Sequence, residues 1–159
     1  MNASDKHFFT DIPNWQLMGL CIEREAGGES REGRIAVGTV ILERVDHRNW
    51  DGKTIQEVIL KPWQFSWTMD GKGVNHDYYE ESVHILSHWQ EEYDSNNALK
   101  ECCQIAMGLL QGAIPRDPDL AKVNCCQYLN PIVAAKTKAE WLSKGMKLVK
   151  KIGHHEFFV

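Results

Sequence analysis

The stretch Asn14-Trp15-Gln16-Leu17-Met18-Gly19-Leu20-Cys21-Ile22-Glu23-Arg24-Glu25-Ala26-Gly27-Gly28-Glu29 decides how the chain is read. Its apolar residues Trp15, Leu17, Met18, Leu20, Cys21 and Ile22 recur with the period of a helix that buries one face. Gly27 and Gly28 follow at once, and glycine just past a periodic segment is a stop signal. The spacing therefore predicts a helix over Asn14–Ala26 with Glu25 in its last turn. A carboxylate at the negative end of a helix dipole is disfavoured by about 0.3–1 kcal/mol when exposed, and by more when partly buried. A carboxyl group pushed upward in this way suits a general acid near neutral pH. The ordinary alternative is a solvated surface glutamate.

Working outward, Ser30 can cap a second helix running to about Val45. Its Ile35, Val37, Val40, Ile41 and Val45 make it apolar almost all round, which places it at the centre of a core. Thr54 and Glu57 form a capping box for a short helix ended by Pro62. Lys61–Asn75 reads as an irregular loop. Further helices are expected over about Tyr78–Glu92, from an Asn97 cap to Gln111 with Gly112 and Pro115 stopping it, and from about Lys138 to Lys150. An extended piece covers about Asn124–Asn130, and His154–Val159 reads as a short strand. No repeat or linker divides the chain. The expected organisation is an N-terminal arm, 1–14, followed by one domain, 15–159. It is mainly α with a small extended segment: a helical bundle around a central apolar helix.

The composition is that of an ordinary globular protein, with 43% hydrophobic and 25% charged residues in a chain of 159. That length suffices for one core. A net charge of −4 gives no basic field for nucleic acid. No apolar run approaches the roughly 20 residues that span a bilayer. The first ten residues lack the basic and apolar regions of a signal peptide. The five cysteines are therefore expected as reduced thiols. Cys102 and Cys103 continue an apolar stripe with Leu99, Ala106, Met107 and Leu110. Two adjacent pairs, Cys102-Cys103 and Cys125-Cys126, could make a thiolate metal site. Structural zinc sites space their ligands, however, and adjacent residues on a helix point about 100° apart, so core packing fits Cys102 and Cys103 better.

Several motifs suggest a binding groove. In Pro62-Trp63-Gln64-Phe65-Ser66-Trp67 the aromatics alternate with Gln64 and Ser66, so one face can be buried while those two point to a ligand. Core packing alone would also explain the aromatics. Tyr128, in Gln127-Tyr128-Leu129-Asn130-Pro131, is placed to bring its hydroxyl near the acid or to be a core tyrosine with one satisfied bond. Asn130 is equally a turn former. Lys136, Lys138, Lys144, Lys147, Lys150 and Lys151 make the last helix basic: a solvated face, or one attracted to anionic groups.

These pieces occur in one order: Glu25-Ala26-Gly27-Gly28-Glu29, Gly33, Ala36-Val37 to Arg44-Val45, Pro62-Trp63-Gln64-Phe65-Ser66, Tyr128-Leu129-Asn130-Pro131, and Ile152-Gly153-His154-His155-Glu156-Phe157-Phe158. Together, from about Trp15 to the C-terminus, they resemble the SleB-type cell wall hydrolase family, the peptidoglycan-cleaving domains of spore germination enzymes and phage endolysins. The resemblance implies a lysozyme-like, mainly helical (α+β) fold related to lytic transglycosylases. It implies Glu25 as the single catalytic acid, Gln64 and Ser66 lining a sugar groove, and Tyr128 and Asn130 completing it. No cofactor or metal is implied. The family histidine aligns with either His154 or His155. The family usually carries Arg where Gly27 stands and Tyr-Gly where Glu23-Arg24 stands, so this pair alters the groove wall. Gly71–Asn97 matches no family motif.

Cleaving a glycosidic bond needs a proton on the leaving oxygen and a second function at the anomeric centre. Glu25 supplies the proton. If Glu29 is a second carboxylate, a separation of about 5–5.5 Å gives retention and roughly 6.5–9.5 Å gives inversion. In the transglycosylase reading no second carboxylate is needed, and Glu29 orients its loop, accepts backbone N–H bonds, or caps the second helix. A different chemistry, a zinc amidase or peptidase on the stem peptide, would use His84 and His88, four apart on a helix, with a third ligand from His76, Asp77, His154 or His155. The glutamate beside the first histidine of the metalloprotease pattern is missing. A peptidoglycan-binding module without catalysis would keep the groove and ignore Glu25.

The expected activity is thus peptidoglycan glycan-strand cleavage by a monomeric phage endolysin. With no stable membrane anchor, it would accumulate in the host cytoplasm and need a holin-type pore to reach periplasmic peptidoglycan.

Overall fold

The computed structural model describes residues 9, 11–47, 52–62, 64–68 and 76–159, the side chains of Ser66 and His76 excepted. Helix α1 (Asn14–Ala26) has the boundaries its apolar period predicts. It packs closely along α6 (Asn97–Gln111), and Gly19 makes the approach possible: a Cβ there would stand 2.5 Å from Cys103 Sγ and 2.8 Å from Cys103 Cα. Cys21, Cys102 and Cys103 are all fully buried, as core packing requires.

Helix α2 (Arg31–Asp46) starts on Ser30, whose hydroxyl accepts the Gly33 N–H. It is the central helix expected. One flank, with Val37, Ile41 and Leu42, belongs to the main helical core. The other, with Ala36 and Val40, packs with Leu120, Cys125 and Phe157 in a smaller core under the sheet. The short α3 (Ile55–Ile59) is capped by Thr54, which accepts from Glu57 N; the Glu57 carboxylate reaches back to Lys53 N.

Four sequence expectations need correction. The helix expected over Tyr78–Glu92 is two, α4 (His76–Ser87) and α5 (Trp89–Ser95), because His88 leaves helical geometry with φ −118° and ψ 35°. The cap of α6 is Asn96, not Asn97; its side chain accepts the Leu99 N–H. A helix not expected, α7 (Pro118–Lys122), begins on the Asp117 side chain. The helix expected over Lys138–Lys150 ends early: α8 spans Ala135–Ser143, Gly145 turns the chain at φ +85°, and Leu148–Ile152 is strand β2. The lysine run is therefore divided between a helix and a strand.

Strands β1 (Gln127–Leu129), β2 and β3 (His155–Phe158) form an antiparallel sheet in the order β1-β3-β2. Tyr128 stands opposite Phe157, and Ile152 opposite His155. Charged side chains tie the sheet to the helices. Arg44 Nε of α2 donates to the Cys126 carbonyl at 2.8 Å, and Lys150 Nζ lies 2.9 Å from both Asp117 and Asp119. Among the described residues no helix is long and apolar enough to cross a membrane.

Candidate active site

The end of α1, the chain after β1 and the start of β3 meet at a cleft of about 600 Å³. Arg24, Glu25, Arg44, Gln64, Tyr78, Tyr128, Asn130 and His155 are among its lining residues. Three of the residues expected to serve Glu25, namely Gln64, Tyr128 and Asn130, are thus brought together with it. The fourth, Ser66, falls in a 3-10 turn, Ser66–Thr68, with its side chain outside the described residues, as Trp63 is altogether. Phe65 and Trp67 are buried, as the alternation requires.

Glu25 is held by residues distant in sequence. The Tyr128 hydroxyl donates to Glu25 Oε2 at 2.9 Å. The Glu25 carboxyl is pushed above its ordinary value by burial, against the Tyr128 hydrogen bond and the Arg44 charge, which both favour the ionised form. The direction is the one expected from the helix terminus, but desolvation is the leading cause. The helix end itself is quenched, because the Arg34 guanidinium donates to the carbonyls of Ala26 and Gly27 and pairs with Glu101. Gly27 keeps a right-handed backbone (φ −59°, ψ −30°) rather than the left-handed stop that a glycine pair suggests.

Burial, then the charge of Glu25, push the Tyr128 phenol well above its ordinary value, so it remains a donor. Arg44 lies under the site with its guanidinium carbon 5.3 Å from the Phe65 ring centroid and 5.9 Å from that of Tyr128. His155 meets the Tyr128 ring edge-on at 5.2 Å, and its Nδ1 is buried without a hydrogen-bond partner among the described residues. Burial lowers its pKa, the charge of Glu29 opposing, so the imidazole is neutral near pH 7. Asn130 does both jobs open to it: it lines the cleft, and its Oδ1 accepts the Ile132 N–H at 3.0 Å in a turn.

Glu29 is placed differently. It does not line the cleft but accepts from His154, at 2.7 Å from the ring Nδ1 and at 3.3–3.4 Å from the backbone N–H. Burial raises its carboxyl, but the His154 hydrogen bonds and the charges of His154 and His155 outweigh it and hold the group below its ordinary value. Glu29 is not the cap of α2, since Ser30 fills that role. It secures the turn between β2 and β3, where Gly153 has φ +54° and a Cβ would stand 1.7 Å from Glu29 Oε2.

His84 and His88 are neighbours, with ring centroids 4.3 Å apart, yet no group of three or more His, Cys, Asp or Glu among the described residues is arranged to hold a metal ion. Sequence reasoning did not single out Arg44, Tyr78 or the wall Val133-Ala134 as site residues. Arg44 carried a usable signal, a cation beside Glu43 directly after the apolar run Val40-Ile41-Leu42. Tyr78 carried none.

Comparison with known proteins identifies the family and the fold. A family model described as Cell Wall Hydrolase matches residues 28–158, starting three residues after Glu25. The fold is similar to the catalytic domain of the germination-specific lytic transglycosylase SleB from Bacillus anthracis, at 25% identity and a TM-score of 0.57, covering 92% of this chain and 93% of that one. The catalytic domain of the Bacillus cereus SleB protein is similar at the same identity and TM-score, covering 92% and 89%. No curated protein sequence matches.

Proposed function

The chain belongs to the cell wall hydrolase family, and from that premise we propose that it cleaves the β-1,4 bond between N-acetylmuramic acid and N-acetylglucosamine by lytic transglycosylation, with Glu25 as its acid and base. One observation carries the reading: a carboxyl group raised by burial, inside a groove, with a phenol aimed at the charge it will acquire. The Bacillus anthracis SleB protein, whose catalytic domain is similar in fold, is by its name a lytic transglycosylase.

The steps balance without water. The Glu25 carboxylic acid protonates the bridging oxygen as the bond to the muramic acid C1 breaks, leaving an oxocarbenium-like centre. The carboxylate so formed is met by the Tyr128 hydroxyl and the Arg44 charge, which lower the cost of ionising a buried acid. Glu25 then takes the proton of the muramic acid C6 hydroxyl as that oxygen bonds to C1. The product is a 1,6-anhydro sugar, and Glu25 is again protonated. Neutral His155, Gln64 and Asn130 line the groove in which the strand is held. Glu29, ionised and occupied by His154, acts as a positioning residue for the hairpin that delivers His155.

The test is turnover of purified peptidoglycan by Glu25→Gln and Glu29→Gln variants. The proposal expects no turnover from the first and a folded, slower enzyme from the second. Equal abolition by both, with folding intact, would favour the two-carboxylate hydrolysis. The lysis role, release from a host cytoplasm through a holin-type pore, rests on the likeness to phage endolysins. It predicts lysis of an expressing cell only when such a pore is supplied.

A further inference from the structure

Tyr78 and Tyr79 are neighbours on α4 with opposite fates. Tyr79 packs on the main core, whereas Tyr78 is 51% exposed and stands at the wall of the cleft. Its backbone carbonyl accepts the Ser82 hydroxyl, within a segment that matches none of the sequence motifs. The Tyr78 ring is not loose, because the Arg24 guanidinium carbon lies 5.8 Å from its centroid. Arg24 is itself fixed: its side chain is only 7% exposed, Nη1 donates to Glu81 at 2.8 Å and Nε faces Glu23 at 3.5 Å. A desolvated cation under an aromatic face holds the ring more firmly than an exposed one. Arg24, Tyr78 and Glu25 all line the same cleft. A pinned aromatic residue thus lines the groove with about half of its surface exposed, apolar area that the protein's own packing leaves open.

Resting on the glycosidase reading above, we propose that Tyr78, pinned on Arg24, is a sugar-stacking platform that receives the apolar C–H face of a hexosamine flanking the bond to be cleaved. The ring offers area at little entropic cost, since Arg24 has already ordered it. Arg24 is here a positioning residue.

The test pairs kinetics on soluble glycan strands with binding of an N-acetylglucosamine hexasaccharide to Glu25→Gln protein. Tyr78→Ala is expected to raise KM and weaken hexasaccharide binding by about tenfold, the size of one aromatic contact, with kcat little changed. Tyr78→Phe and Tyr78→Trp should bind like the parent. Should Tyr78→Ala not fold, Tyr78→Leu gives the same comparison. Parent-like binding by Tyr78→Ala or Tyr78→Leu would overturn the proposal. So would a Tyr78→Phe variant as weak as Tyr78→Ala, which would mean a hydroxyl hydrogen bond rather than stacking. Absence of any glycan cleavage by the unaltered protein would defeat the catalytic reading instead, while hexasaccharide binding would still decide the platform.

Discussion

The hydroxyl of Tyr128 on β1 donates to Glu25 Oε2 on α1 at 2.9 Å, across 103 positions of sequence. The bond favours the ionised carboxylate, so it opposes the desolvation that raises Glu25. Tyr128→Phe removes the opposing influence and leaves burial in force. The alkaline limb of the kcat/KM profile, set by loss of the Glu25 proton, should then move to higher pH. The rate at the optimum should fall about ten- to a hundredfold, as expected when one hydrogen bond to a charged group is lost. A pH–rate profile of the variant checks both. A limb displaced to lower pH would contradict the assignment.

Gly153 tests the hairpin. Its φ of +54° and the 1.7 Å that would separate an added Cβ from Glu29 Oε2 leave no room for a side chain. Gly153→Ala should cost about 2 kcal/mol or more, from backbone strain together with a broken Glu29–His154 contact. Urea unfolding measures it, and an unchanged midpoint would mean that the turn is not held as described.

His155 should govern part of the pH dependence of stability. Its folded pKa lies below the ordinary 6.5 because burial disfavours the imidazolium. The unfolded chain therefore binds more protons, and stability is lost as pH falls from about 6.5 toward the depressed folded value. His155→Asn should flatten the fall of the thermal midpoint in that window. Glu29, depressed in the fold, contributes at higher pH and is lost only as pH drops below the ordinary 4.5. The two effects separate along the pH axis.

Where local signals were strong the sequence was readable. The apolar period ending at Gly27 located α1 and put Glu25 in its last turn, and Ser30 located α2. The Lys138–Lys150 segment misled, because lysine and leucine suit helices and nothing local announces pairing with β3. Gly145 at φ +85° and the partner strand decide it. The missed α7 did have a signal, Asp117 as cap with Pro118 at the first helical position. In the site, Gln64, Tyr128 and Asn130 could be named because they sit in motifs. Tyr78 could not, because its helix carries none of the motifs and only tertiary packing turns it toward the cleft. For Glu29 the sequence left open a second carboxylate, a group that orients its loop or accepts backbone N–H bonds, and a cap of α2. Its engagement with His154, 125 positions away, is what spacing cannot show.

The central claim, that Glu25 alone drives an intramolecular attack, is most directly tested by mass spectrometry of muropeptides released from purified peptidoglycan by the unaltered protein and by Glu25→Gln. The account predicts products lighter by one water than reducing muropeptides, with none released by the variant. Reducing ends on muramic acid, or release that persists in Glu25→Gln, would contradict it.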